Sequence, residues 1–200
     1  VALTLGGLGD ALMHPDWDRI VRTAHDAGVF AIAIETDLQA DQGEIDKLLK
    51  LPVDVVTVRL NADTVKTYQT VMTSNDKVGE QAFTCVTQNL EYMVNEESRY
   101  RVADSTSGGE SDEPFRVDPA EQSGGMPWLV PRLIKTPQTL DDMETFFDRW
   151  MHFTGHAVIE PLLPGRAPGR DLINLTTGLD MAPPQRFGCR QIRNLSLIHI

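Results

Sequence analysis

The stretch GGLGDALMHPDW, residues 6–17, places three glycines and an acid between a short apolar run and a helical pattern. Glycine lets main-chain atoms approach a ligand closely, and it adopts positive φ without steric cost. The spacing is not that of the dinucleotide fingerprint G-x-G-x-x-G, nor that of a P-loop, which ends in Gly-Lys-Ser/Thr. The stretch therefore predicts a turn whose backbone binds a ligand, with a tight turn that binds nothing as the alternative.

Other charged and polar residues stand where further predicted strands end. Ligands of α/β proteins bind at the carboxyl ends of parallel strands, so these residues are expected to surround the same site. The guanidinium of Arg59 suits a carboxylate, with an exposed rim charge as the equal alternative. Glu160 is expected either to line the pocket or to form a salt bridge. The residues at strand ends are Gly6 to Asp10, Glu35 to Asp37, Arg59 to Asn61, Arg132 to Thr136, and Glu160.

The hydrophobic pattern predicts the elements that position these residues. Two of the strands, 30–37 and 53–60, are continuous apolar runs, which is typical of strands covered on both faces. Strand and helix alternate along the chain, which predicts parallel strands, right-handed crossovers and an α/β fold, either an open doubly wound sheet or a barrel. The predicted strands are 1–5, 30–37, 53–60, 128–136 and 156–163, and the predicted helices are 16–27, 43–51, 61–72, 83–95 and 139–153.

Composition excludes several classes of protein. The chain has 200 residues, of which 41% are hydrophobic, enough to bury a core. Its net charge of −11 argues against nucleic acid and acidic membrane surfaces, which require clustered Lys and Arg. No apolar run approaches the roughly 18 to 20 residues that cross a bilayer. The two cysteines do not make a disulfide framework, so a reducing cytoplasm is the expected compartment.

Three segments depart from the strand and helix pattern. Residues 96–127 are acidic and rich in Ser, Gly and Pro, which predicts a solvated insertion, with a lid as the alternative. Residues 164–194 have the composition of a linker that leads to a new module. The final LSLIHI, 195–200, is the translation of a widely used transposon sequencing adapter, so we expect a non-native tail, with a truncated strand as the alternative. Val1 opens directly into a strand, and we expect further sequence upstream.

Segment 7–29, GLGDALMHPDWDRIVRTAHDAGV, resembles the second strand-loop-helix unit of radical S-adenosylmethionine (SAM) enzymes. The family pattern is G-x-G-E-P-L-L-H-P, where this chain has Asp10 for Glu and Ala11 for Pro. Order and spacing agree further along the chain, over about residues 1–192. The additional matches are IETDL at 34–38, VTVRLNADTVKTYQTVM at 56–72, the helix around Gln88-Asn89-Leu90, and PPQRFGCRQI at 183–192, which resembles the entrance of a SPASM-type extension.

The resemblance implies a partial (β/α)6 barrel over residues 1–163 that binds SAM beside a [4Fe–4S] cluster. The glycine turn of the family contacts the methionyl amino group of SAM through backbone carbonyls and its acid, and Arg59 stands where a family serine holds the ribose or carboxylate. Cys189 stands as the first ligand of an auxiliary cluster, with a buried thiol as the alternative. The cofactor-binding residues implied are Gly6, Gly7, Gly9, Asp10, Arg59, Asn61 and Arg132.

The family's cluster is held by cysteines spaced C-x3-C-x2-C, and this chain contains no such motif. We therefore expect the first strand and the cluster loop to lie upstream, and we expect this piece to be inactive alone. The resemblance implies hydrogen abstraction by a 5′-deoxyadenosyl radical, an electron donor as partner, and modification of a peptide or protein, or enzyme maturation. The alternatives are a non-catalytic α/β barrel domain that has lost the cluster, and a barrel lyase or hydrolase that uses a metal or carboxylates.

Overall fold

The structure is a computed structural model that describes residues 1–7, 9–73, 75–107, 126–162 and 195–199, with only the backbone described for 97–107 and 195–199. Strands and helices alternate through most of this range. The strands are β1 (Ala2–Gly6), β2 (Ala31–Thr36), β3 (Val55–Arg59), β4 (Trp128–Lys135), β5 (Val158–Pro161) and β6 (Leu195–His199). The helices are α1 (Trp17–Asp26), α2 (Gln42–Leu49), α3 (Val65–Met72), α4 (Asp76–Ser107) and α5 (Met143–Thr154).

All strand pairs in the sheet are parallel, which confirms the predicted α/β class. The strand order is β5-β4-β3-β2-β1-β6, so the first five strands lie side by side in chain order. The carboxyl ends of these strands consequently meet at one edge, as parallel pairing requires. Within the pairing of β3 with β4, Arg59 is the register partner of Arg132.

The two faces of the sheet differ in burial. Alternate strand residues such as Leu5, Ile34 and Val58 are fully buried and form one core cluster with helix residues such as Tyr68 and Phe146. The prediction that 30–37 and 53–60 are covered on both faces is wrong, because every second residue of β2 and β3 is only partly buried. We call this second side the open face. Its members are Ala2, Thr4, Ala31, Ala33, Glu35, Val55, Thr57, Arg59, Trp128, Val130, Arg132, Ile134, Val158 and Glu160.

Residues typical of helix ends flank the first three helices. Asp16 precedes α1, and Gly28 follows it with a φ of +79°. Asp41 caps α2 by accepting a hydrogen bond from the Glu44 N–H, and Thr64 caps α3 by accepting one from the Thr67 N–H. A side-chain oxygen at this position satisfies a main-chain donor that has no partner within the helix.

Several predicted helix boundaries are wrong. Helix α3 begins at Val65 rather than 61, and helix α4 begins at Asp76 rather than 83. Helix α4 continues to Ser107, so the first third of the predicted insertion 96–127 is helical backbone, and residues 108–125 lie outside the described residues. Helix α5 begins at Met143 rather than 139, because Thr139 and Asp142 use their side chains elsewhere. The Thr139 hydroxyl donates to the Ile134 carbonyl at 2.8 Å, and Asp142 makes no capping hydrogen bond to its own helix.

The backbone of 195–199 forms a strand that pairs with β1 over its whole length, up to Gly6 opposite His199. This segment thus has strand backbone, and its non-native origin stays a prediction. The predicted linker and SPASM-like segment, 164–194, lies outside the described residues. Among the described helices, none combines the length and the apolar character that crossing a bilayer requires.

Candidate functional site

The glycine turn after β1 needs glycine at two positions for different reasons. A Cβ on Gly6 would lie 3.0 Å from the Cβ and 3.2 Å from the Cγ of Glu35, so the close approach there is to a neighbouring strand's side chain. Gly7 has a φ of +136°, in the region that favours glycine. A Cβ on Gly9 would meet no atom within 4 Å. Gly9 therefore carries no steric requirement of the fold, and its surroundings leave space beside the turn.

Asp10 connects the turn to the end of β2. Its Oδ1 accepts hydrogen bonds from the Leu12 N–H at 3.0 Å and from the Thr36 hydroxyl at 2.8 Å. Its Oδ2 accepts from the Asp37 N–H at 2.9 Å. A carboxylate has about four lone-pair sites, so three internal bonds leave it little further capacity. Aspartate here holds the two strand ends together.

Arg59 binds the turn from the end of β3. Its Nε donates to Asp37 Oδ1 at 2.8 Å, its Nη1 to the Gly7 carbonyl at 3.2 Å, and its Nη2 to the Gly9 carbonyl at 3.0 Å. Only 16% of its side chain is exposed, so the interpretation as an exposed rim charge is wrong. The two glycine carbonyls thus converge on a cation at hydrogen-bonding distance, which shows that their geometry fits a positively charged donor.

The Asp37 carboxylate, which accepts a hydrogen bond from Arg59, is itself partly buried. Burial raises the pKa of the Asp37 carboxyl above its ordinary value, because the charged form loses hydration. The Arg59 guanidinium opposes that shift, and the nearby Asp10 carboxylate adds to it. The charged form of Asp37 therefore depends on its contact with Arg59.

Asn61 lies outside this cluster and connects β3 to β4. Its backbone has a φ of +55°, and its main-chain N–H donates to the Arg132 carbonyl at 2.9 Å. Its side-chain oxygen accepts from the Ile134 N–H at 3.0 Å, and its side-chain nitrogen lies 3.2 Å from the sulfur of Met72. The amide thus contacts β4 through its oxygen and the end of α3 through its nitrogen, so the structure shows a fold-supporting use for this predicted cofactor residue.

Arg132 lies beside Arg59 on the open face but has different partners. Its Nη1 is 3.6 Å from Glu35 Oε1 and 3.5 Å from Glu160 Oε2. Of the two alternatives for Glu160, a salt bridge is the one observed. The Nε of Arg132 is buried and makes no hydrogen bond. The open face thus presents a second charged group of side chains next to the turn.

Two buried polar residues shape the site and were not assigned this role from sequence. Asn89, on α4, donates from its amide to the carbonyls of Leu38 at 2.9 Å and Ala40 at 3.0 Å, which fixes the loop after β2. Asp142 accepts from the main-chain N–H groups of Asp63 at 2.9 Å and Thr64 at 3.1 Å, which fixes the loop after β3. For Asn89, the sequence feature that could have indicated this role is an amide side chain among the apolar residues of α4.

The described side chains do not include a group of three or more His, Cys, Asp or Glu residues arranged to hold a metal ion. Cys85 is partly exposed, and its sulfur lies 3.7 Å from the Asn89 amide nitrogen. His156 stacks on Trp128 with ring centroids 5.1 Å apart. Cys189 lies outside the described residues.

Comparison with protein-family models finds no match for this chain, and comparison with curated proteins finds none either. The class of protein is therefore stated from the fold and the site alone. It is an α/β protein with a parallel sheet, and a polar cluster gathers at the carboxyl ends of β1 to β5.

Proposed function

We propose that this chain is part of a radical SAM enzyme and that the turn after β1 binds the methionyl ammonium of SAM. The observation that carries the proposal is the convergence of the Gly7 and Gly9 carbonyls on the cationic side chain of Arg59, at 3.2 and 3.0 Å. A carbonyl oxygen has two lone pairs, so each can accept from an ammonium in addition to the guanidinium.

A partial (β/α)6 barrel is part of the proposal. Its support is the order of β1 to β5, which follows the chain across five neighbouring parallel strands, as in a barrel, while β6 pairs on the other side of β1. A second support is that one face of each strand joins the helices in a single core, while the open face carries the charged residues. A barrel places its helices outside the sheet and its site residues at the carboxyl ends of the strands.

The residues divide the work of holding the cofactor. Gly7 and Gly9 would bind the ammonium, Asp10 keeps the turn attached to β2, and Arg59 sets the distance between the turn and β3. Bound together with a [4Fe–4S] cluster, SAM supplies a 5′-deoxyadenosyl radical for hydrogen abstraction. The cluster thiolates would come from outside these 200 residues, Cys189 would serve an auxiliary cluster, and an electron donor in the cytoplasm would act as partner.

The test uses the product of the complete gene, purified and reconstituted without oxygen. We expect iron and sulfide in a ratio that matches at least one [4Fe–4S] cluster, and formation of 5′-deoxyadenosine from SAM after chemical reduction. A matched reaction with S-adenosylhomocysteine in place of SAM should give no 5′-deoxyadenosine. A protein that holds no iron and does not cleave SAM would contradict the proposal.

A second candidate function is a non-catalytic α/β binding domain. The specific observation in its favour is that Asp10 and Arg59 are each engaged in three internal hydrogen bonds, which a purely structural turn also explains. In the same experiment this function predicts a protein that holds no iron and does not cleave SAM. Iron content and product formation therefore separate the two.

A further inference from the structure

Glu35, Arg132 and Glu160 form a charged group on the open face, which we call the Arg132 cluster. The Nη1 of Arg132 lies 3.6 Å from Glu35 and 3.5 Å from Glu160. These separations exceed the roughly 2.7–2.9 Å of a charge-assisted hydrogen bond. Within the described part of the chain, none of the three side chains makes a hydrogen bond. The cluster therefore consists of three charged groups in loose ion pairs, whose hydrogen-bonding atoms are not engaged with one another.

Comparison with Arg59 shows that the lack of hydrogen bonds at Arg132 does not follow from its position in the sheet. Arg59 and Arg132 are register partners on adjacent strands, and both point to the open face. All three nitrogens of the Arg59 guanidinium group donate to named acceptors, whereas the Nε of Arg132 is buried without one. Buried polar groups are nearly always paired, so an unpaired guanidinium N–H requires an explanation.

We propose that the Arg132 cluster binds the free α-amino-acid group of a substrate, with the carboxylate on Arg132 and the ammonium between Glu35 and Glu160. The planar guanidinium offers parallel donors to a carboxylate. Two carboxylates with free lone pairs suit the three donors of an ammonium. Two acids and one arginine sum to −1, which disfavours a plain anion and favours a ligand that carries an ammonium beside its carboxylate.

Through Glu35, the Arg132 cluster touches the glycine turn. The proposal rests on the proposed function only because it calls the ligand a substrate. The Glu35 side chain packs against Gly6, since a Cβ there would lie 3.2 Å from Glu35 Oε2. Neighbouring strands are about 4.8 Å apart and β4 is the third strand from β1, so a ligand on Arg132 would lie about 14 Å from the turn, along the same edge of the sheet. Binding of an amino acid requires neither iron nor SAM cleavage, so failure here leaves the proposed function unaffected.

The experiment is a nuclear magnetic resonance titration that follows the arginine Nε–Hε signals of the 200-residue chain. The probes are L-alanine, N-acetyl-L-alanine and L-alaninamide at equal ionic strength, and the Arg132 signal is identified by its loss in Arg132→Lys. We expect L-alanine to shift this signal saturably and to bind at least about fivefold more tightly than either blocked compound. No saturable shift, or equal binding of a blocked compound, overturns the proposal.

Variants sharpen the assignment. Arg132→Lys keeps the charge but loses the guanidinium fork, so alanine affinity measured on the remaining backbone signals should fall about tenfold, while the exposed control Arg19→Lys stays within about twofold. Glu160→Gln should reduce the preference for L-alanine over N-acetyl-L-alanine about two- to fivefold. An unchanged preference would overturn the ammonium assignment. If Arg132→Lys does not fold, the Arg132 signal is identified by through-bond correlation to its own backbone, and the alanine shift in the unmodified chain decides.

A competition separates the two sources of an α-amino-acid group. S-adenosylhomocysteine carries the same group as the cofactor, so it is added at one equivalent of the protein, enough to fill the turn but not a second site, and we expect it to leave the alanine-induced shift of Arg132 in place. Loss of that shift at one equivalent of S-adenosylhomocysteine would assign the cluster to the cofactor and overturn its role as a substrate subsite.

Discussion

Replacement of Arg59 by methionine tests the link between the glycine turn and the rest of the sheet. The methionine side chain would keep an unbranched apolar stem but lose the donors to Asp37, Gly7 and Gly9. Removing one member of a fully buried ion pair costs about 3–5 kcal/mol, and hydrogen bonds to charged groups contribute about 1.5–3 kcal/mol each. Because the side chains of this pair are 16% and 29% exposed, we expect the free energy of unfolding to fall by about 2–4 kcal/mol.

The assay is urea denaturation of the chain, followed by circular dichroism, with Arg19→Met as the matched control. Arg19 pairs with Asp16 at 3.4 Å, with the two side chains 75% and 48% exposed, so its replacement should cost no more than about 1 kcal/mol. Equal losses in the two variants would refute the inference that Arg59 clamps the turn.

The loss of unfolding free energy in Arg59→Met should also depend on pH, which gives a second test of the same contact. Arg59 stabilises only the charged form of Asp37, whose pKa burial raises above its ordinary 3.8. A carboxyl with a raised folded pKa favours folding while protonated, and that contribution is lost as pH rises through the folded pKa. The difference in unfolding free energy between the unmodified chain and Arg59→Met should therefore grow as pH rises through the Asp37 pKa. A difference that does not change with pH would exclude Asp37 as the partner of Arg59.

Three further predictions follow from single contacts. Gly6→Ala should lower the free energy of unfolding by about 1–3 kcal/mol because the added Cβ would press on Glu35. Gly9→Ala should change it by no more than about 1 kcal/mol, and urea denaturation of both variants measures the difference. Burial raises the pKa of Tyr68 to about 12, so its ionisation disfavours folding as pH rises from about 10 to about 12, and a smaller alkaline loss in Tyr68→Phe would confirm it. Asp142→Ala should cost about 1–3 kcal/mol because it leaves two main-chain donors before α3 without an acceptor, and an unchanged urea midpoint would contradict this.

The sequence predicted the elements well because each one repeats a simple pattern. Apolar residues recur at three- and four-residue steps in α1, and Asp41 and Thr64 are oxygen-bearing side chains directly before helices. Burial of the strands was less predictable, since small residues such as Ala31 and Ala33 are apolar whether or not a second layer covers them. Only the three-dimensional arrangement shows that helices join one face alone.

The sequence predicted which residues lie near one another at the site, but it did not predict which of them are in contact. Parallel strands place their carboxyl ends together, so Asp10, Asp37 and Arg59 were expected near one another. The partner of Gly6 is Glu35, 29 residues away, and no local pattern connects them. The end of α4 was missed because the composition of 96–127 as a whole conceals a helical first third.

The Gly7 and Gly9 carbonyls are the central contacts of the proposed SAM site, and one measurement addresses them directly. The product of the complete gene, labelled with ¹³C at the carbonyls of its glycines, is titrated with SAM and with methylthioadenosine, which lacks the amino-acid group. We predict that the Gly7 and Gly9 carbonyl signals shift with SAM and stay in place with methylthioadenosine. SAM binding that leaves both signals in place, or an absence of SAM binding, would contradict the account.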